Sequence, residues 1–164
     1  MVTRTPRAAG LLSLLLCTGI IRPAHAQEPA ALLAQDQFWD AARAGDTLEM
    51  GRALAAGARI DSLDTRRRPN GRRALNWAAW NNHPDAIRFL VAHGAPVNAT
   101  NLTGFTPLHH AAENGSLEAA RALLEAAADP NALNYEGETP GEVARRRSHP
   151  DVALVIEAAA KGHE

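Results

Sequence analysis

The sequence predicts an all-α solenoid of about four helix-turn-helix repeats. Three observations carry that prediction. The chain repeats itself every 33 residues: Arg73-Ala74-Leu75-Asn76-Trp77-Ala78-Ala79 stands 33 before Thr106-Pro107-Leu108-His109-His110-Ala111-Ala112, and Gly137 stands 33 after Gly104. A fixed period of that length marks stacked-repeat architectures. Within a period the apolar residues recur at helical spacing, with Leu108, Ala111 and Ala112 on one segment and Leu117, Ala120, Leu123 and Leu124 on the next. Helix punctuation also recurs. Pro107 and Pro140 suit a first helical turn, where the missing N–H costs nothing. Gly57 and Gly94 stand where a second helix should end in a left-handed residue.

At the start of the chain, Arg4 and Arg7 precede an apolar run from Ala8 to Ile21, and Ala24-His25-Ala26 precedes Gln27. A basic start, a short apolar run and a small-x-small ending predict a secretory signal peptide over residues 1–26, cleaved after Ala26. The expected destination is the periplasm or the exterior. The run falls short of the roughly 20 apolar residues that span a bilayer. An uncleaved anchor is the alternative, and Arg22 in the cleavage region favours it. Cys17 follows Leu16 rather than a small residue, which argues against lipidation.

Cleavage would remove Arg4, Arg7 and Arg22 but no acidic residue, taking the net charge from −1 to −4. It would also remove Cys17, the one cysteine. A cysteine-free chain in an oxidising compartment is held by packing alone. This charge balance makes no case for nucleic acid.

Residues 27–35 read as a short lead, frayed at its start. The repeat domain then occupies 36–164, with repeats near 36–66, 67–100, 101–133 and 134–164. In repeat one, Ala41-Ala42 matches Ala111-Ala112, without a Thr-Pro opening, as suits a terminal repeat that caps a stack. Asp46, Ser116, His83-Pro84 and His149-Pro150 align as starts of second helices, Asp46 and Ser116 as N-caps. Gly94-Ala95-Pro96-Val97-Asn98 matches Ala127-Ala128-Asp129-Pro130-Asn131, so Ala127 falls where glycine is wanted. In repeat four, Thr139-Pro140 reopens the pattern, with Gly141 and Glu142 in place of Leu108 and His109.

The Thr106-Pro107-Leu108-His109 block followed by Ala111 strongly resembles an ankyrin repeat. The resemblance implies that each helical pair is followed by a projecting β-turn finger, and that His109 bonds near the Thr106 hydroxyl and the adjoining finger. Thr106, Pro107, Leu108, His109, Gly57 and Gly94 are then motif residues of the scaffold. It also implies a partner-binding concave side made of finger tips and exposed first-helix positions. Carried across, those positions include Trp80, Asn81, Glu113 and Asn114 after each Ala-Ala pair, Phe105 and Arg72 before the Thr-Pro position, and Arg146 in repeat four. Trp80 and Phe105 are expected as apolar anchors, the alternative being that both fold down onto neighbouring helices.

Repeats one and two are spaced 37 apart, Gly57 to Gly94 and Ala42 to Ala79, so four extra residues lie in the first finger. That finger holds Arg66, Arg67, Arg68, Arg72 and Arg73. It reads either as a solvated loop or as an electrostatic rim for carboxylates or anionic head groups. The His109-His110 pair invites a metal reading, but neighbours on a helix point about 100° apart and make poor joint ligands. Neither a nucleophile–base spacing nor a phosphate loop is evident, so the chain reads as non-enzymatic, with no cofactor and no metal. The expected function is monomeric binding of another protein in a bacterial envelope, as an accessory factor for an envelope enzyme or as an immunity protein against a toxin. Binding to an anionic membrane through the arginine finger is one alternative. A metal-dependent enzyme using His109 and His110 is the other.

Overall fold

Left-handed backbone residues punctuate the chain with the period of the sequence. Gly45, Asn82, Gly115 and Ser148 (φ 78°, 58°, 70° and 64°) close the turn inside each helical pair. Gly57, Gly94 and Ala127 (φ 100°, 88° and 61°) end the second helix of the first three pairs. The computed structural model describes residues 24–66 and 71–162. Among these lie eight helices: α1 (Ala24–Ala44), α2 (Thr47–Ala55), α3 (Ala74–Trp80), α4 (Pro84–Ala92), α5 (Pro107–Asn114), α6 (Leu117–Glu125), α7 (Pro140–Arg146) and α8 (Pro150–Lys161). The all-α solenoid is thus the observed architecture.

The odd-numbered helices form one layer, α1 on α3, α3 on α5 and α5 on α7. The even-numbered helices form the second, α4 on α6 and α6 on α8, with α2 on α4. The core between them is rich in alanine, which lets helices approach closely. Ala78, Ala79, Ala111, Ala112, Ala119 and Ala120 are fully buried, and Phe38, Met50, Ile87, Leu90, Leu123 and Ile156 fill the space between. Trp77 is buried too, 6 % exposed.

The lead at 27–35 is helical, continuous with the first repeat within α1, and Ala34 is buried against the core. Alanine's helix propensity accounts for this. Residues 1–23 lie outside the described residues, and with them most of the expected signal segment.

Neighbouring repeats interlock through side chains at the helix ends. A Cβ on Gly115 would stand 2.6 Å from Nδ1 of His149, and one on Gly45 would stand 2.7 Å from Nδ1 of His83. Only glycine lets those rings in. Asp46 caps α2 as expected, accepting from Glu49 N at 2.9 Å. Ser116 does not cap α6: its hydroxyl donates instead to the carbonyl of Trp80, one repeat back, at 2.9 Å. The first turn of α6 is served by Asn82 of that same earlier repeat, which accepts from Ala119 N at 2.9 Å.

Candidate interaction groove

Among the described residues, three fingers flank the odd-numbered helices. In finger 1, Asp64 and Arg72 pair as an isolated antiparallel bridge, with N–H···O distances of 2.7 and 3.1 Å. Fingers 2 and 3, Asn101–Phe105 and Asn134–Glu138, are each folded around a buried asparagine. Asn101 Oδ1 accepts from Thr103 N, Thr103 Oγ1 and Phe105 N at 3.0, 2.9 and 2.9 Å. Asn134 Oδ1 accepts likewise from Glu136 N and Glu138 N.

His109 joins finger 3 to α5. Its Nδ1 lies 2.8 Å from Thr106 Oγ1 and 3.2 Å from Thr106 N, and its Nε2 lies 3.0 Å from the carbonyl of Glu138. A carbonyl only accepts, so Nε2 carries the proton and Nδ1 receives the Thr106 N–H. Thr106 and Pro107 open α5 with a reciprocal capping box. Burial pushes the His109 ring below its ordinary pKa, the Glu138 carbonyl opposing.

Of the finger-1 arginines expected to form an open rim, the three described, Arg66, Arg72 and Arg73, are engaged within the fold. Arg66 lies 3.0 Å from Asp36, 3.4 Å from Asp40 and 2.9 Å from Asp64, and packs over the Trp39 ring. Arg72 is 2 % exposed and lies between Trp77 and Trp80, at 4.6 and 4.1 Å from their ring centroids. Arg73 donates to the carbonyl of Asp61 at 2.8 Å. These cations are engaged because α1 and the finger supply carboxylates, and α1 and α3 supply indole faces, within reach. Burial pushes Asp64 up, but the donors of Arg66 and Trp77 outweigh it and hold the carboxyl below the usual range. Arg67 and Arg68 lie outside the described residues.

The expected contact residues on the helices are also partly engaged within the fold. Asn81 donates to the carbonyl of Trp77 and Asn114 to that of Trp80, both at 2.8 Å. Arg146 grips Glu138 with two hydrogen bonds of 2.7 and 2.8 Å. Glu113, with its side chain 17 % exposed, accepts from Arg147 at 2.6 Å and lies 3.8 Å from Nδ1 of His110. Trp80 and Phe105 are half-buried. Trp80 meets His110 edge-on, and Phe105 lies against both His109 and His110. Each anchor therefore presents only part of its ring.

The most open apolar groups along the fingers are Leu102, 54 % exposed, and Tyr135, 77 % exposed. They are equivalent positions, 33 apart, each just after its finger's asparagine. Each lies over the glycine of the preceding finger, Leu102 on Gly71 and Tyr135 on Gly104. The sequence reading missed both, although the repeated spacing marks them. Beside them, Phe105, His110, Glu113, Arg146 and Arg147 line a cavity of about 190 Å³. Among the described residues no group of three or more histidine, cysteine or carboxylate side chains could hold a metal. Among those residues, too, no helix is long and apolar enough to cross a membrane.

The family described as ankyrin repeats (3 copies) matches residues 38–134 and 104–161. A mouse protein, protein phosphatase 1 regulatory subunit 27, is 39 % identical over 72 residues, which are 44 % of this chain and 45 % of that protein. Palmitoyltransferase AKR1 of Lachancea kluyveri is 46 % identical over 50 residues, 30 % of this chain and 6 % of the relative. Mouse ankyrin repeat and SOCS box protein 16 is 40 % identical over 56 residues, 34 % of this chain and 11 % of the relative. The chain thus spans less than half the length of these curated relatives. All three are eukaryotic, and they bear on the repeats rather than on compartment or partner.

Proposed function

Because this chain belongs to the ankyrin-repeat family, a family of protein–protein interaction modules, we propose that it binds another protein along the groove between its fingers and odd-numbered helices, without catalysis. The observation that carries this reading is the line of Leu102 and Tyr135, open apolar side chains on successive fingers, beside the partly open rings of Trp80 and Phe105. Exposed apolar groups in register on a rigid scaffold suit interface anchors. The polar rim, Glu113, Asn114 and Arg146, is already oriented by internal bonds, which lowers the ordering cost of binding.

The signal-like start supports export, so the partner is sought in an envelope or extracellular fraction. The protein acts there as a monomer, either assisting an envelope enzyme or neutralising a toxin. Genes adjacent to its own distinguish the two, since an effector gene alongside favours immunity. Docking on anionic lipid is the weaker reading, because Arg66 is neutralised by aspartates and Arg72 is buried.

The test is affinity capture from that fraction with the full chain, beside a Leu102→Ser/Tyr135→Ser variant whose folding is checked by circular dichroism. Both side chains are exposed, so the fold should tolerate the change. A partner retained by the parent and lost by the variant is the expected result. The same partner held equally by both would overturn the finger-tip site.

A further inference from the structure

One buried side chain beneath the groove fits its surroundings in a single protonation state. His110 is 1 % exposed. Its Nε2 lies 3.4 Å from Nδ2 of Asn101. The Asn101 carbonyl oxygen is identified by its three donors in finger 2, so the group facing His110 is the NH₂. An NH₂ only donates. Nε2 must therefore be bare, and the ring's one proton sits on Nδ1, which makes no hydrogen bond and lies 3.8 Å from Glu113 Oε2.

A second proton would go to Nε2 and set N–H against N–H at Asn101. It would also place a cation beside Arg72, whose guanidinium covers the Trp80 ring, and would draw Glu113 off Arg147 toward Nδ1. His109 on the same helix faces the other way, to Glu138, and adds to the repulsion. Arg146 at the end of α7 and Arg147 just after it enclose the same cavity, and from finger 3 so does Glu136. Among the described residues, Glu113 and Glu136 in that lining, and the Glu138 held by Arg146, carry the opposite charge.

We propose that His110 is a proton-operated latch between α5 and finger 2: neutral, it holds the finger through Asn101; charged, it releases the finger and shifts Leu102 and Phe105 out of line with the groove. The consequence for binding rests on the groove reading above, but the latch does not. Burial chiefly sets the operating range on the acid side, pushing the ring to about 4, with Arg72 adding to the effect and Glu113 opposing it.

The test needs no partner. Ring-nitrogen and finger-2 signals of the full chain are followed by nuclear magnetic resonance from pH 7.5 to 3.5, alongside far-ultraviolet circular dichroism. The Nδ1–H tautomer is expected at neutral pH. The Thr103 and Phe105 amides and the Leu102 methyls should then shift with the midpoint of His110, while helicity is kept. His110→Gln, whose amide can accept from Asn101 without titrating, should abolish that transition. Where His110→Gln does not fold, Glu113→Gln should move the midpoint lower. Finger signals that do not follow His110, an Nε2–H tautomer at neutral pH, an unmoved midpoint in Glu113→Gln, or helicity lost at the same midpoint would each overturn the latch. Failure here leaves the groove standing, whereas equal capture by the Leu102/Tyr135 variant overturns the groove and leaves the latch.

Discussion

Ala127 holds a left-handed backbone, φ 61°, at the position filled by Gly57 and Gly94 in the two earlier repeats. A side chain there strains the backbone by about 1 kcal/mol. Ala127 is exposed, so the methyl contributes little packing in return. Ala127→Gly should therefore raise the thermal midpoint by a few degrees, on the order of 1 kcal/mol less the added chain entropy. A lowered midpoint would mean that the entropy outweighs the relieved strain. This site was legible in the sequence because the 33-residue register compares like with like. The partners of Arg66 and Arg72 were not. Arg66 is held by Asp36 and Asp40 of α1, and Arg72 by two tryptophan faces, contacts that arise only after finger 1 folds back. Composition showed five arginines in one finger, and nothing local could show which ones the fold would consume.

Elements are joined in this stack by shape as much as by apolar area. The turn after α5 illustrates it, because Gly115 is left-handed at φ 70° and also receives the His149 ring against its α-carbon. Gly115→Ala combines backbone strain with a contact of 2.6 Å that the ring must yield to. A loss of about 2–3 kcal/mol is expected, seen as a lower midpoint in urea. His149→Ala in the same background should recover part of it by clearing the ring, and no recovery would place the cost in the backbone alone. Helix positions were legible for the reason that their punctuation was, since Thr106, Pro107, Thr139 and Pro140 each act within three residues. The capping of α6 was not, because its acceptor, Asn82, comes from another repeat. Likewise Leu123 rather than Leu124 is the fully buried member of its pair, a choice made by how α6 rolls onto α4 and α8.

At the scale of the whole molecule, buried titratable groups couple the stack to pH, and their signs agree. His109 and His110 are held neutral in the fold, both pushed down from an ordinary 6.5, His110 to about 4. As pH falls below 6.5 the unfolded chain takes up protons that the folded chain refuses, so stability falls. For His110 the loss ends near pH 4, where the folded ring also charges, and by then amounts to about 3 kcal/mol. Glu113, Glu138 and Asp64 are also pushed down. The stability they contribute above the ordinary carboxylate range is lost as pH falls through their folded values. Histidines and carboxylates therefore act in adjoining windows in the same direction, and the raised values of Arg66 and Arg146 act only in the alkaline range. The thermal midpoint should be flat above pH 7, fall between about 6.5 and 4, and keep falling below that. His110→Gln should flatten the upper part of this profile and leave the lower part in place. Midpoints of the parent that do not change between pH 7 and 5 would show that these rings are free to charge in the fold, contrary to the one-proton fit of His110 against Asn101.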